Sequence, residues 1–84
     1  MIMPLTNLKS AKNRKIGIKQ STRALMEDRA KELFIAKDAD QHVIRRIVSL
    51  AQEKEIPIVY VDSMGTLGTA CGIDVGAATA VIIK

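Results

Sequence analysis

Aromatic residues are nearly missing: the 84-residue chain has one Phe, one Tyr and no Trp. That scarcity makes the core aliphatic. It also argues against binding nucleic acid by base stacking, as single-strand binders and sheet-face RNA readers do. Cysteine is as rare. Cys71 stands alone, which excludes an internal disulfide and suits a reducing cytoplasm, the expected location. No apolar run approaches the roughly 20 residues of a membrane helix. The opening M-I-M-P-L-T-N lacks the apolar core of a secretion signal, so no membrane partner is expected. Acidic residues are absent before Glu27, while Lys9, Lys12, Arg14, Lys15, Lys19 and Arg23 all precede it.

That last absence hides inside a net charge of +4. Beyond the six early cations, seven Lys/Arg face nine Asp/Glu, a net of −2. Positive charge concentrated in the first quarter is the footprint of a surface that meets a polyanion. With 48% hydrophobic and 26% charged residues, the chain has the composition of an ordinary globular protein. Its length leaves room for one core, so 1–84 reads as a single domain.

Periodicity predicts alternating helices and short strands. Residues 5–13 suggest a short helix with Leu5 and Leu8 on one side. A brief strand at Lys15–Ile18 then turns at Gly17 into a helix over about Lys19 to Arg29, with Leu25 and Met26 on its apolar face. Leu33 to Ala36 is one buried strand. Asp38 and Asp40 are candidate caps for the next helix, Asp38 and Gln41 having capping-box spacing. That helix carries Val43, Ile44, Ile47, Val48, Leu50 and Ala51 as a stripe of period 3.6. Pro57 precedes a β-branched strand, Ile58 to Val61. Ser63 can cap a short helix with Met64, Leu67 and Ala70. Gly65 and Gly68 weaken that helix by about 1 kcal/mol each relative to Ala, which predicts close packing there, and Gly72 closes it. A loop, Ile73 to Ala77, leads into a last strand, Thr79 to Ile83. The pattern predicts an α/β fold, a three-layer α/β/α sandwich around a small mixed sheet of about four strands.

An enzyme needs a positioned acid, base or nucleophile, a metal set or a cofactor loop. His42, the sole histidine, falls on the polar side of a helix. Cys71 has no CxxC partner and reads as a small core residue. Asp38 and Asp40 are explained by capping, with no further metal ligand nearby. Gly65, Gly68 and Gly72 have neither the spacing nor the strand-to-helix position of a phosphate loop. No catalytic, metal or cofactor set emerges.

The stretch K-I-G-I-K-Q-S-T-R, Lys15 to Arg23, is different. A charge run alone is usually a solvated face. Here Lys19, Gln20 and Arg23 fall at a helix start, where unpaired N–H groups and the positive end of the helix dipole favour phosphate. Gly17 permits close backbone approach. Lys19 and Arg23, four residues apart, share one helix face. Arg23 can pair bidentately with guanine O6 and N7, and Gln20 can donate and accept at a base edge.

At Gly17-Ile18-Lys19-Gln20-Ser21-Thr22-Arg23-Ala24-Leu25 the sequence resembles the kink-turn-binding ribosomal protein family, the L-seven-Ae family of large-subunit and box C/D ribonucleoprotein proteins. The likeness continues through Ile35-Ala36-Lys37-Asp38-Ala39-Asp40 and Ile56-Pro57-Ile58. It resumes at Leu67-Gly68-Thr69-Ala70-Cys71-Gly72-Ile73 and runs into the last strand, so it covers nearly the whole domain. The short chain and the Lys19-Gln20 pair are most similar to the small bacterial members.

The resemblance implies a domain that binds a sharply bent RNA internal loop with tandem sheared G·A pairs. By that likeness Lys15, Gly17 and Ile18 lie where the RNA groove widens, and Lys19, Gln20 and Arg23 match contacts to the G·A guanines. The loop Ile73, Asp74, Val75, Gly76 and Ala77 matches one that covers a flipped-out nucleotide, and Lys37 lies near the same rim. Larger members usually carry Asn, Glu and Lys at the positions of Lys19, Gln20 and Arg23. Neutral Gln20 weakens any charge-assisted bond to a guanine N–H. Val75 stands where some relatives carry a cation. The expectation is a monomeric, non-enzymatic protein that stabilises kink-turns in structured RNA, with ribosomal RNA, the ribosome or a riboswitch as candidate partners. The competing expectation is a protein-assembly module whose basic face and apolar loop dock a protein.

Overall fold

A computed structural model describes residues 13–84. Four strands and three helices alternate along them: β1 (Arg14–Ile16), α1 (Ile18–Met26), β2 (Ala30–Ala36), α2 (Gln41–Glu53), β3 (Ile58–Val61), α3 (Met64–Ala70) and β4 (Thr79–Ile83). The helix expected over 5–13 lies outside the described residues, Asn13 apart.

The strands form one mixed sheet in the order β1-β4-β2-β3. β4 pairs antiparallel with both β1 and β2, and β2 pairs parallel with β3. Successive strand residues point to opposite faces, and every residue of β4, like Leu33 to Ala36 of β2, is buried. Both faces of the sheet are therefore covered, which makes a three-layer α/β/α sandwich. α1 and α2 pack against each other, while α3 packs on β2, β3 and β4. Phe34, Leu25, Leu33, Ile35, Leu67 and Val81 are the large side chains at the centre of the core. Among the described residues no helix is long and apolar enough to cross a membrane.

Several boundaries differ from expectation for identifiable reasons. β1 stops at Ile16 because Gly17, at φ +100, turns the chain, and Ile18 is already helical. α1 ends at Met26, short of Arg29. Asp28 adopts a left-handed conformation (φ 57), and the Arg29 N–H reaches back to the Ala24 carbonyl (2.9 Å) while that of Asp28 reaches Leu25 (3.2 Å). This is a Schellman ending. α2 closes the same way around Glu55, with Ile56 N–H on the Ala51 carbonyl (2.9 Å), and α3 around Gly72, with Ile73 N–H on Gly68 (3.1 Å). Met26 is not on the buried face of α1, which is Ser21, Ala24 and Leu25; it borders a groove between α1 and α2. β2 starts three residues early, at Ala30, because Lys31 and Glu32 interrupt the apolar run without interrupting pairing: Ala30 and Glu32 face Ile83 and Ile82 across an irregularity in the register.

The two aspartates also divide their work. Asp40 caps α2 through His42 N–H (2.8 Å), whereas Asp38 accepts from Met64 N–H (2.8 Å) at the start of α3. Ser63 caps α3 as expected, accepting from Thr66 N–H (3.1 Å). Of the two glycines inside α3, only Gly68 is there for packing: a Cβ on it would collide with the Val75 carbonyl oxygen, whereas one on Gly65 would meet only Ser63 Oγ at 3.8 Å. Gly68→Ala should accordingly cost about 1–3 kcal/mol through overpacking, and Gly65→Ala should stabilise by up to about 1 kcal/mol. Urea denaturation of the two variants beside the parent checks both signs.

Candidate nucleic-acid interface

Strand direction decides where the polar chemistry gathers. β1, β2 and β3 run the same way and β4 runs against them. The ends of three strands therefore meet the beginning of the fourth along one rim. Each of the three leads into a helix, so the rim collects helix starts at Gly17, Asp40 and Ser63 together with the 73–78 loop. In open α/β sheets this is the edge at which ligands bind.

The start of α1 is held by β4. Gly17 N–H donates to the Thr79 carbonyl (2.8 Å), and Ser21 N–H closes the first helical turn onto the Gly17 carbonyl (2.9 Å). The Thr79 hydroxyl donates to Ser21 Oγ (3.1 Å) in a wholly buried contact. With Gly17 as cap there is no side-chain capping bond and no acidic residue in the first turn. The N–H groups of Ile18, Lys19 and Gln20 thus lack helical acceptors, and the positive helix end is not neutralised from within. A Cβ at Gly17 would meet nothing within 4 Å. Glycine is required there by the positive φ, not by crowding.

Ile18, Lys19, Gln20 and Arg23 are exposed around this helix start. Arg23 is bound to Glu27 through Nε alone (3.2 Å), which leaves its two terminal nitrogens for other acceptors. Lys15 lies on β1, away from the helix tip. It lines a shallow depression on the flank of α1 with Gln20 and Arg23.

The 73–77 loop is anchored to α3. Ile73 N–H bonds Gly68, and Ala77 N–H bonds the Met64 carbonyl (3.0 Å). The residues of this loop are not equally exposed. Ala77 is buried and Ile73 half-buried, so only Asp74, Val75 and Gly76 face outward, with Val75 70% exposed. Val75 and half-exposed Met64 make the apolar part of the rim. Lys37 is close by through its backbone, its N–H bonding the Val61 carbonyl (2.8 Å) beside the Ala36–Ala78 bond (2.9 Å). Its ammonium is 3.7 Å from Asp62, an exposed pairing of little energetic weight.

Among the described residues, the side chains weighed for covalent chemistry are His42 and Cys71. His42 is exposed. Cys71 is buried, and burial pushes its thiol pKa up against the opposing pull of the Arg14 guanidinium. The thiolate that reactivity needs is thereby disfavoured. Among the described residues no group of three or more His, Cys, Asp or Glu could hold a metal ion.

Sequence reasoning missed the residues that position the site. Arg14 donates to the Cys71 carbonyl (3.0 Å), tying β1 to the end of α3. Asp38 links the β2 and β3 ends of the rim. Ser21 had a readable signal, since it precedes buried Ala24 and Leu25 by three and four residues; Thr79, at the start of a strand, had none.

The structure defines a small three-layer α/β/α domain with a cationic helix start that lacks a side-chain cap and an apolar loop on one rim. Residues 4–84 match the model of the ribosomal protein L7Ae/L30e/S12e/Gadd45 family, and the chain belongs to that family. It is 52% identical over 69 residues to an RNA-binding protein of Halalkalibacterium halodurans, covering 82% of this chain and 84% of that one. Over 69 residues it is 46% identical to the RNA-binding protein YbxF of Geobacillus stearothermophilus, with the same coverage. Among solved structures, the Giardia lamblia 15.5 kD RNA-binding protein superposes with a TM-score of 0.84 at 26% identity, over 95% of this chain and 68% of that one. A Bacillus halodurans protein of unknown function, at 19% identity and a TM-score of 0.82 over 95% of this chain and 80% of that one, shares the fold.

The Ser21–Thr79 contact makes a test of how the helix start is held. Ser21→Ala should cost about 1–3 kcal/mol, because the buried Thr79 hydroxyl loses its acceptor. Adding Thr79→Val should recover much of that loss, since both polar partners are then gone. Denaturant unfolding of the four members of this cycle reads out the coupling.

Proposed function

We propose that this chain is a non-enzymatic RNA-binding protein that recognises and stabilises kink-turns, acting as a monomer on ribosomal RNA or other structured RNA. The observation that carries the reading is the helix start at Gly17. It offers open N–H groups and the exposed side chains of Lys19, Gln20 and Arg23, on the rim that also bears the apolar tip at Val75. The relatives named as RNA-binding proteins support the RNA part. The G·A specificity rests on the likeness of Gly17 to Leu25 to the kink-turn-binding motif.

In this reading the backbone N–H groups and Lys19 take phosphate, Gln20 and Arg23 meet purine edges, and Val75 covers an unstacked base. The near-absence of aromatic residues fits a protein that reads a folded RNA shape instead of stacking on single strands. Binding the kinked form alone withdraws it from a kinked–extended equilibrium, so bending follows from affinity and no chemical step is needed.

Arg23→Ala should lose about 1–3 kcal/mol of binding to a kink-turn RNA and discriminate less against the same RNA without its G·A pairs. Titrated gel shifts with both RNAs measure this, and undiminished binding by the variant would exclude the role given to Arg23. If the parent binds neither RNA and instead captures a protein, the domain is an assembly module. Val75→Asp should also weaken binding, by placing a carboxylate against the extruded base and its phosphate; a variant as tight as the parent would remove Val75 from the contact.

A further inference from the structure

The flank of α1 opposite its partner helix carries a feature that the rim does not account for. Lys15, Gln20, Arg23, Glu27 and Arg29 surround one shallow depression, floored by Ala24 and Ile83. Glu27 uses both oxygens to hold two guanidinium groups side by side, Arg23 Nε at 3.2 Å and Arg29 Nη1 at 3.6 Å. The three side chains stay open, at 72%, 44% and 59% exposure for Arg23, Glu27 and Arg29. Three cations against one carboxylate leave the depression positive.

Its position gives this charge a direction. Gln20 and Arg23 belong both to the helix start and to the depression. Arg29 lies past the far end of α1, just before β2 begins at Ala30. A nine-residue helix is roughly 13 Å long, so the cations run from the rim to the opposite edge of the sheet. They do so beside β1, which among the described residues pairs with β4 alone.

We infer that this flank is a second RNA contact, a phosphodiester-binding track for one of the two stems beside the kink, with Arg29 as its outer anchor. The inference rests on the function proposed above and extends it from the helix start to Glu27 and Arg29. Guanidinium groups suit phosphate through their paired, planar donors, and Glu27 fixes them without cancelling their charge. Contacts of this kind position a duplex and add affinity but carry no sequence information.

The test uses a kink-turn RNA with long stems on both sides, and versions with one stem or the other cut back. Arg29→Gln should fold like the parent, because the Arg29 side chain is mostly exposed and its backbone bonds to Ala24 and Lys84 remain. Neutralising one phosphate contact contributes about 0.9 to the salt slope. Arg29→Gln should therefore bind the long-stem RNA about eightfold more weakly at 0.1 M salt, with a shallower salt dependence and unchanged G·A discrimination. Arg29→Lys should restore most of the loss. Cutting back the stem that crosses the flank should erase the difference between parent and Arg29→Gln. Equal binding of the parent and Arg29→Gln to the long-stem RNA would overturn the inference, as would a loss that persists whichever stem is shortened. In either case a loss in Arg23→Ala would leave the proposed function standing; failure of that function would appear as undiminished binding by Arg23→Ala.

Discussion

Thr79 is the joint on which the rim depends. Its carbonyl takes the Gly17 N–H and its hydroxyl takes hold of Ser21, so one residue fixes both where α1 begins and which way it points. The contact is fully buried at both residues, and a buried hydroxyl pair is worth making because leaving either partner unpaired is costly. A helix held this way from behind needs no side-chain cap in front. That leaves its first N–H groups facing outward.

The same economy recurs along the rim, where loops are braced against each other and not against solvent. Asp38, leaving β2, accepts from the first N–H of α3. Gly68 lets α3 lie directly under the Val75 carbonyl, and Ala77 closes the loop onto Met64. Three strands running one way are what make such bracing possible, because they deliver three helix starts to one edge. Exposed side chains at that edge then project from backbone that has few alternatives.

Most of the architecture was legible in the chain because it follows from patterns with one dominant cause. The period-3.6 stripe of α2 and the β-branched run at Ile58–Val61 appear where expected. Misjudged boundaries trace to local effects that hydropathy does not carry. Asp28 ends α1 in a left-handed conformation usually given to glycine, so it did not look like a stop. Lys31 and Glu32 hid the start of β2. At the site, the helix-start residues were readable because Gly17 and the basic run are local in sequence. Thr79, Asp38 and Arg14 were not, since each acts through a partner at least 26 residues away. The burial of Ala77 was not legible either, because its partner, Met64, is on another element.

For the proposed function, the division between rim and flank has a thermodynamic consequence. A ligand shifts an equilibrium only by its difference in affinity for the two states. Moving an RNA from 1% to 99% kinked requires about 10⁴-fold preference, near 5.5 kcal/mol. Phosphate contacts along one stem are available whether or not the RNA is bent, so they raise affinity for both forms alike. The preference must therefore come from groups that are satisfied only when two stems and the loop between them converge. Under the proposed function that preference falls to the helix start at Gly17 and the loop tip at Val75, each held by hydrogen bonds to a neighbouring element.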